Sequence, residues 1–444
     1  MLSKRIGSST TSKNQNDFWF KNHTVKIVIL QWVDICGVLR TRLVPASTFK
    51  KITESNEYLN CAPLDTCVTT TAEFIPKIMP FFVDSGKIWP DVSSLKLANH
   101  STRGYHAAVC FGHVEFQNTD ARHILKGLVE KTKVNRGLEF LVGMELEFCL
   151  LVPGTLDPAE KGSTGVAHSS KILRSKAWPL LTDIIAALDE AGIRVEQAVK
   201  EYGASAYEVA LSPLPPVEAV DAYIYTMEVI KNIAHKAHLT ATFYPTPYAG
   251  ETGQKSGQHI HISATPAIKD KSWNPDTAMS GLLSHIPALT AIGMAQIDSY
   301  ERVGVGKMCT GGFVGWGDNN RDMPVRRADK NHWEVRINDA TSNSYAMVAG
   351  IIGALLDSKP LTIERATKFT LFYSEEERQK MGLTKSLPSS LEEALKELES
   401  DMDWAICVLG REYVEWFIAL KKAEAEALSK MEAKERRLLL LDTF

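Results

Sequence analysis

Residues 138–152 read LEFLVGMELEFCLLV, a long apolar run of strand-forming residues whose middle carries two glutamates, Glu145 and Glu147. Because the side chains of a strand alternate between its two faces, both carboxylates leave the same face. Two like charges about 5–7 Å apart repel each other in a low dielectric unless a cation compensates them. The stretch therefore predicts either a metal-binding strand or an edge strand with its acidic face in water.

Three later stretches add side chains of the same kind. They are Glu201 and Glu208 in EYGASAYE, His259 and His261 in QHIHIS, and Glu334 with Arg336 in HWEVR. The small residues between the two glutamates of the first stretch predict a turn that can bring both carboxylates to one centre. The H-x-H pair shares one strand face and is typical of metal or phosphate sites, although a single histidine is more often a buried hydrogen-bonded side chain.

Carboxylates outnumber imidazoles in this set, and no cysteine joins it. An oxygen-rich donor set suits Mg²⁺ or Mn²⁺ better than Zn²⁺, and such hard ions in enzymes usually meet phosphate. Arginines fit that chemistry because guanidinium groups bind phosphates and carboxylates bidentately, although a solvated basic loop would show the same pattern. The sequence has no GxxxxGK[ST] loop and no GxSxG motif. The arginines are Arg302 in SYERVGVG and Arg321, Arg326 and Arg327 in NNRDMPVRR.

The composition restricts the class of protein further. The chain has 444 residues, 44% hydrophobic and 23% charged, which predicts a folded protein of two or three domains. Its formal charge of −3 gives no basic field for nucleic acid, and no run of about 18 apolar residues predicts a membrane span. The polar N-terminus lacks the apolar core of a secretion signal, and the scattered cysteines include no CxxC pair. We therefore expect a cytoplasmic protein with no nucleic-acid or membrane partner.

Secondary-structure signals divide the chain into three parts. Residues 1–22 are predicted to form a flexible polar leader, and residues 23–118 a small β-rich domain. Residues 119–444 alternate strands and helices, as a large α/β domain does. Their E/K/A-rich end is predicted to form one helix over about 403–437.

In chain order, these motifs resemble those of the glutamine synthetase superfamily, type I branch. The resemblance runs from about residue 24 to residue 430 and rests on SYERV with its glycine-rich loop, WGDNNRDMPVRR, HWEVR and DATSNSYAMVAGIIGALLD. It implies an α+β fold with a small β-grasp-like N-terminal domain and a large α/β catalytic domain. The strands of the catalytic domain would line a funnel shared between neighbouring subunits of a homo-oligomer, a double-ringed decamer or dodecamer.

The resemblance also implies two divalent ions, Mg²⁺ or Mn²⁺, in that funnel. All six ligands that it implies are present: Glu147, Glu201 and Glu208 for one ion, and Glu145, His259 and Glu334 for the other. The ATP contacts that it implies are Glu196, His261, Ser263 and Arg326. Arg321 matches the arginine that holds the transferring phosphoryl group. The resemblance thus implies catalytic roles for Arg321 and for the metal ligand Glu334. Arg302 and Arg336 match the arginines that hold the carboxylate of the amino-acid substrate.

Two departures from the family pattern concern the substrates. Met308 stands where glutamine synthetases carry a flap glutamate that closes the site and helps to deprotonate ammonium. Gln254 and Lys255 replace the Asn-Gly pair that contacts glutamate. Asp65 is the candidate for the N-terminal aspartate that helps to hold ammonium in the neighbouring subunit.

The resemblance and these departures together predict an ATP- and Mg²⁺-dependent ligase of the γ-glutamyl type. It would join glutamate or a related acid to an amine other than ammonium, through an acyl phosphate. The altered substrate positions leave an alternative, a non-catalytic regulatory or scaffold protein that binds nucleotide. Authentic glutamine synthesis is the third possibility.

Overall fold

The structure, a computed structural model, describes residues 24–73, 75, 78, 85–102, 105–160, 166–248, 255–266, 273–441 and 443–444. The predicted leader at 1–22 and the substrate position Gln254 lie outside the described residues. Within these ranges the chain forms two β-sheets and the helices packed around them. No helix in these ranges is both long and apolar enough to cross a membrane.

A mixed six-stranded sheet occupies the N-terminal part of the chain. Its strands are β1 (Val25–Val33), β2 (Leu39–Pro45), β3 (Leu59–Cys61), β4 (Gly86–Pro90), β5 (Lys96–Thr102) and β6 (Tyr105–Glu115). The order is β2-β1-β6-β4-β3, and β5 also pairs with β6. The β1–β6 pair is parallel and its neighbours are antiparallel, with helix α1 (Ala46–Glu54) following β2.

An eight-stranded sheet forms the larger part of the molecule. Its strands are β7 (Leu138–Leu151), β8 (Val195–Lys200), β9 (Ala206–Leu211), β10 (Thr240–Thr242), β11 (Ile260–Pro266), β12 (Trp316–Asp318), β13 (Val325–Asp329) and β14 (His332–Val335). The order is β12-β13-β14-β11-β7-β9-β8, with β10 also on β7. The two sheets with their helices confirm the predicted α+β class.

The helices lie between and after these strands. They are α2 (Ala121–Arg136), α3 (Ala177–Glu190), α4 (Pro216–Lys236), α5 (Pro275–Gly293), α6 (Ser344–Leu356), α7 (Glu375–Lys380), α8 (Leu391–Ser400), α9 (Met402–Leu409), α10 (Arg411–Ser429) and α11 (Ala433–Leu440). The prediction of one helix over about 403–437 is wrong, because the segment forms α9, α10 and α11. Gly410 has φ +86° and ψ 151°, and Glu432 has an extended backbone, so the helical hydrogen-bond ladder is interrupted at both residues.

β7 is the central strand of the large sheet and is buried along most of its length. It pairs antiparallel with β11 over Leu138–Met144 and with β9 over Glu145–Cys149. Strand pairing on both sides excludes the edge strand that the sequence alone left open. Glu145 and Glu147 therefore lie within the sheet, among other strands that carry charged side chains.

A buried ion pair ties the last helices to the N-terminal part. The Lys421 ammonium lies 2.9 Å from Glu424 Oε1, and both side chains are almost completely buried. The other oxygen of Glu424 accepts hydrogen bonds from the backbone N–H and hydroxyl of Thr70, and Gln296 Nε2 donates to Glu424 as well. Gln296 directly precedes the 3₁₀ segment Ile297–Arg302, so this cluster supports the segment that carries Arg302.

Breaking this pair should destabilise the fold strongly, because the remaining carboxylate would be buried without its cation. We expect Lys421→Met to lower the free energy of unfolding by about 3–5 kcal/mol, measured by chemical denaturation. Lys430→Met is the matched control, since Lys430 and its partner Glu426 are 70% and 75% exposed, and it should change little. A loss below about 1 kcal/mol for Lys421→Met would contradict this role.

Candidate active site

The register of the large sheet aligns charged side chains across four strands. His261 of β11 lies opposite Glu334 of β14 on one side and opposite Gly143 of β7 on the other. On the other edge of β14, Arg326 of β13 also lies opposite Glu334. His259 lies one residue before β11 begins, and its carbonyl oxygen accepts the N–H of Glu145 at 3.1 Å. The strand pairing thus brings three distant stretches of sequence to one place.

Glu145, His259 and Glu334 form the first acidic group. One possible ligand atom of each residue lies within 4.8 Å of the others. His259 Nδ1 is 3.0 Å from Glu145 Oε2, 3.8 Å from Glu147 Oε1 and 3.6 Å from Glu334 Oε1. A ring nitrogen close to three carboxylates is an arrangement that can hold a divalent cation.

Glu147, Glu201 and Glu208 form the second acidic group. Glu147 and Glu208 lie directly opposite each other across the β7–β9 pair. Glu201 follows the end of β8, at the start of the predicted turn of small residues, and its charge acts on both of the others. The N–H of Gly257 donates to Glu147 Oε2 at 2.7 Å.

Burial and like charges make the second group electrostatically unfavourable on its own. Burial raises the pKa of Glu147 to about 7, and the charge of Glu201 adds to the shift. Burial, with the charges of Glu145 and Glu147, raises the pKa of Glu208 to about 9. A bound divalent cation would reverse these shifts, because it stabilises the ionised carboxylates.

The first group is neutralised in part by the chain itself. Burial opposes ionisation of Glu145, but hydrogen bonds with His259 and His261, both 3.0 Å long, outweigh it and lower the pKa of Glu145. Burial and the charge of Arg336 lower the pKa of His259 to about 4, so the imidazole is neutral at pH 7. A neutral imidazole retains the lone pair that binds a metal ion.

The buried donor set fits hard divalent cations. Glu334 is 1% exposed, and its Oε2 has no hydrogen-bond partner of good geometry within the described residues, although Arg326 Nε lies 2.7 Å away. The two groups together offer carboxylate oxygens and one imidazole nitrogen, which matches Mg²⁺ or Mn²⁺ chemistry. The structure therefore brings Glu145, His259 and Glu334 close enough together to hold one such ion. Glu147, Glu201 and Glu208 lie beside them and interact electrostatically, but their carboxylate oxygens do not all come within the same distance of one another.

A cavity of about 210 Å³ adjoins the first group on the side of β9. Two of the implied ATP contacts, His261 and Ser263, line it, together with Glu145. The other two do not: Glu196 is exposed and pairs with Ser212 and Arg194, and Arg326 forms an ion pair with Glu334. The lining residues are Leu141, Gly143, Met144, Glu145, Ala210, Leu211, Pro213, His261, Ser263 and His332.

His332 is a candidate site residue that the sequence reasoning missed. Its Nε2 lies 3.0 Å from His261 Nδ1, and the other nitrogen of His261 contacts Glu145. Burial, with the charges of His261 and Arg326, lowers the pKa of His332 and so favours the neutral imidazole. Its position two residues before Glu334 on the same strand face was the available signal.

The implied acid-substrate arginines lie below a glycine-rich loop at residues 303–312. Arg302 is completely buried, donates to the carbonyls of residues 336 and 338 and to Asp339, and has an Nε without a partner within the described ranges. Arg336 pairs with Glu334 and donates to the Met308 carbonyl at 2.8 Å. Gln254 lies outside the described residues, whereas Met308 is 51% exposed.

The three remaining positions are Arg321, Lys255 and Asp65. Arg321 is exposed, and its charge acts on Glu208, which puts its guanidinium near the second acidic group. Lys255 pairs with Glu301, whose other oxygen pairs with Arg437 of α11. Asp65 lies in the N-terminal sheet region, 3.6 Å from Arg42, and its role stays a prediction.

Residues 118–438 match the family of the glutamine synthetase catalytic domain. The chain belongs to the glutamine synthetase family, whose members use ATP and divalent metal ions, and the resemblance seen in its motifs is confirmed. Its homologues include ligases of this family.

Three similar proteins define the relationship more closely. The protein FluG of Emericella nidulans is 31% identical over 95% of this chain, which spans 49% of FluG's own length. The glutamate–methylamine ligase of Methyloversatilis universalis is 30% identical, over 88% of this chain and 90% of that protein. A solved structure of a GmaS/ADP complex has a TM-score of 0.80 at 22% identity, covering 95% of this chain and 98% of that one, and it shows the fold alone.

Glu208→Gln should separate the stability of the site from its affinity for metal. The pKa of Glu208 is higher in the folded protein than its ordinary value of 4.5, so the folded state opposes ionisation of this side chain. At pH 8 this opposition lowers the free energy of unfolding. A glutamine cannot ionise, so the substitution removes the cost and stabilises the protein. We expect the free energy of unfolding in EDTA to rise by about 1–3 kcal/mol. Mn²⁺, which should stabilise the unaltered protein, should stabilise this variant less.

The matched control is Glu139→Gln on the neighbouring strand β7, whose side chain is 58% exposed. It should respond to EDTA and Mn²⁺ as the unaltered protein does. A Glu208→Gln variant that is less stable in EDTA, or that gains full stability from Mn²⁺, would contradict the assignment.

Proposed function

We propose that this protein is an ATP- and Mg²⁺-dependent carboxylate–amine ligase of the γ-glutamyl type. The observation that carries the proposal is the convergence of Glu145, His259 and Glu334 within 4.8 Å, next to Glu147 and Glu208, which face each other across β7 and β9. Membership of the glutamine synthetase family supports ATP, an acid and an amine as substrates. The similarity to a glutamate–methylamine ligase supports glutamate or a related acid.

The proposed reaction has two steps. An oxygen of the side-chain carboxylate of the acid attacks the terminal phosphorus of ATP, the bond to ADP breaks, and an acyl phosphate forms. The unprotonated amine nitrogen then attacks the acyl carbon, phosphate leaves with the C–O bond electrons, and the nitrogen loses a proton. The products are ADP, phosphate and an amide.

The two acidic groups would hold the divalent ions, which neutralise negative charge on the phosphates when bound. We assign Arg321 to the transferring phosphoryl group, because this exposed cation lies near Glu208 at the open side of the site. Arg336 would hold the acid substrate, since it is 3% exposed and directly adjoins Glu334. Arg302, through its unpartnered Nε, is the second proposed contact of the acid.

His261 and Ser263 are the proposed nucleotide contacts in the cavity, with His332 added by the geometry. Arg326 would act on the nucleotide only indirectly, through Glu334. We place Glu196 at the outer margin of the nucleotide site. It is exposed and lies near the start of β8, at the open end of the β8–β9 hairpin.

The amine is proposed to be larger than ammonium. Met308 offers a thioether where the family carries a flap glutamate, so the loop cannot supply a carboxylate at this position to attract NH₄⁺. Authentic glutamine synthesis is therefore the less favoured reaction.

A nucleotide-binding protein without turnover is the second candidate. The observation that favours it is Lys255, whose ammonium pairs with Glu301 where the resemblance implies a contact with the acid. If this ion pair blocks the acid, ATP would bind and no amide would form.

The proposal also covers the division of the chain into domains and its assembly with further copies. Residues 23–118 and 119–444 would be the two domains, and the chain would assemble into a decameric or dodecameric double ring. The site would then be completed by a neighbouring copy, with Asp65 as the candidate contribution. A cytoplasmic location is supported by seven cysteines that form no disulfide.

The full chain with ATP, Mg²⁺, glutamate and a panel of primary amines should release phosphate and form a product of the summed mass minus water. Glu334→Gln and Arg321→Gln should each lower kcat by about 10²–10³-fold, because each removes a charge that acts on the transferring group. Glu139→Gln, exposed on β7, should keep its activity. ATP binding without amide formation from any acid and amine tested would support the nucleotide-binding alternative instead.

A further inference from the structure

Exposed apolar side chains border the candidate site on its open side. Val305 and Met308 of the glycine-rich loop are 54% and 51% exposed, and Leu371 and Phe372 are 53% and 62% exposed. We name these four residues the apolar rim. Large apolar side chains exposed together near a site usually mark a binding surface.

Both parts of the apolar rim are fixed to the site. The Met308 carbonyl accepts a hydrogen bond of 2.8 Å from Arg336, which also pairs with Glu334. On the other part, the Thr370 hydroxyl donates to Asp322 Oδ2 at 2.5 Å. Asp322 directly follows Arg321 in sequence, so the rim is anchored beside Arg336, an implied acid contact, and beside Arg321, the implied phosphoryl contact.

The two parts also touch each other. A Cβ atom built on Gly306 would lie 3.2 Å from Leu371 Cδ2, so the loop is in van der Waals contact with the segment that carries Leu371. Gly306 and Gly311 both have φ +76°, and a Cβ on Gly311 would clash with the Asp322 carbonyl at 2.5 Å. These glycines permit the close approach that makes the rim continuous.

The groups that bind the acid in the proposed reaction lie directly below the rim. Cys309, which follows Met308, interacts electrostatically with Arg302, Arg336, Lys255 and Glu147, and burial raises the pKa of its thiol. The chain therefore passes from the exposed Met308 to the neighbourhood of the two proposed acid-binding arginines in a single residue. An amine that attacks an acid held by these arginines would have its substituent against the rim.

We propose that the apolar rim binds the nonpolar substituent of the amine substrate, which is therefore an alkyl or aryl primary amine of several carbons. This inference rests on the proposed ligase function and adds the class of amine to it. A second copy of the chain and a polar polyamine are the competing occupants. The apolar rim favours the amine with a nonpolar substituent, because a polyamine would place its distal ammonium against apolar side chains.

The test is a series of n-alkylamines from ethyl to hexyl, with kcat/KM measured from amide formation by the full chain. Each methylene that leaves water should raise kcat/KM by about 2–4-fold, mainly through a lower KM. In Met308→Ser and Leu371→Ser, the gain per methylene should fall below about 1.5-fold, because the apolar surface is lost. Leu439→Ser, on α11 and 49% exposed, is the matched control. It should show the same gain in kcat/KM per methylene as the unaltered protein.

Each remaining outcome overturns the inference. A flat or falling series in the unaltered protein would overturn the amine class while leaving the ligase function standing. A preference for putrescine over butylamine would identify a polyamine as the occupant. A change of oligomeric mass in Leu371→Ser, with an unchanged alkyl series, would identify a second copy. Amide formation from no amine at all would remove the proposed function and the inference together.

Discussion

The repulsion among closely spaced, largely buried carboxylates is the constraint on which the rest of the site depends. Glu147 and Glu208 face each other across two paired strands, and Glu145 lies on the same face of β7. Hydrogen bonds from Gly257 and His259 offset part of the cost, but the raised pKa values of Glu147 and Glu208 indicate that the chain alone does not satisfy them. Hard divalent cations would satisfy them, and the same cations bind phosphate.

The large sheet holds this arrangement, and the proposed substrate contacts lie at its open side. Arg336 connects the two functions, because one end of its guanidinium pairs with Glu334 and the other holds the Met308 carbonyl. A carboxylate or phosphoryl group that binds Arg336 would therefore act directly on the loop that carries Met308. The buried Glu424 cluster contacts Thr70 and Gln296, so the N-terminal part of the chain helps to position the segment that carries Arg302, a proposed acid contact.

Local sequence patterns were enough to predict many of the site residues. The positions that they could not predict depend on contacts between residues far apart in sequence. The spacing of Glu145 and Glu147 was enough to place both on one strand face, but not to say whether that strand lay in the interior. His332 escaped notice because its partner is 71 residues away in sequence. The break at Gly410 was hidden by strong helix formers around it, and the buried Glu424 resembled the solvated glutamates of its helix.

The central claim, that the two acidic groups bind hard cations, is tested most directly by counting bound Mn²⁺ on the metal-stripped full chain. Equilibrium dialysis with detection of free Mn²⁺ by electron paramagnetic resonance gives the number of ions per chain. The account predicts saturation at two ions per chain, with one site weakened in Glu334→Gln. A count that stays below one ion per chain at millimolar Mn²⁺ would contradict it.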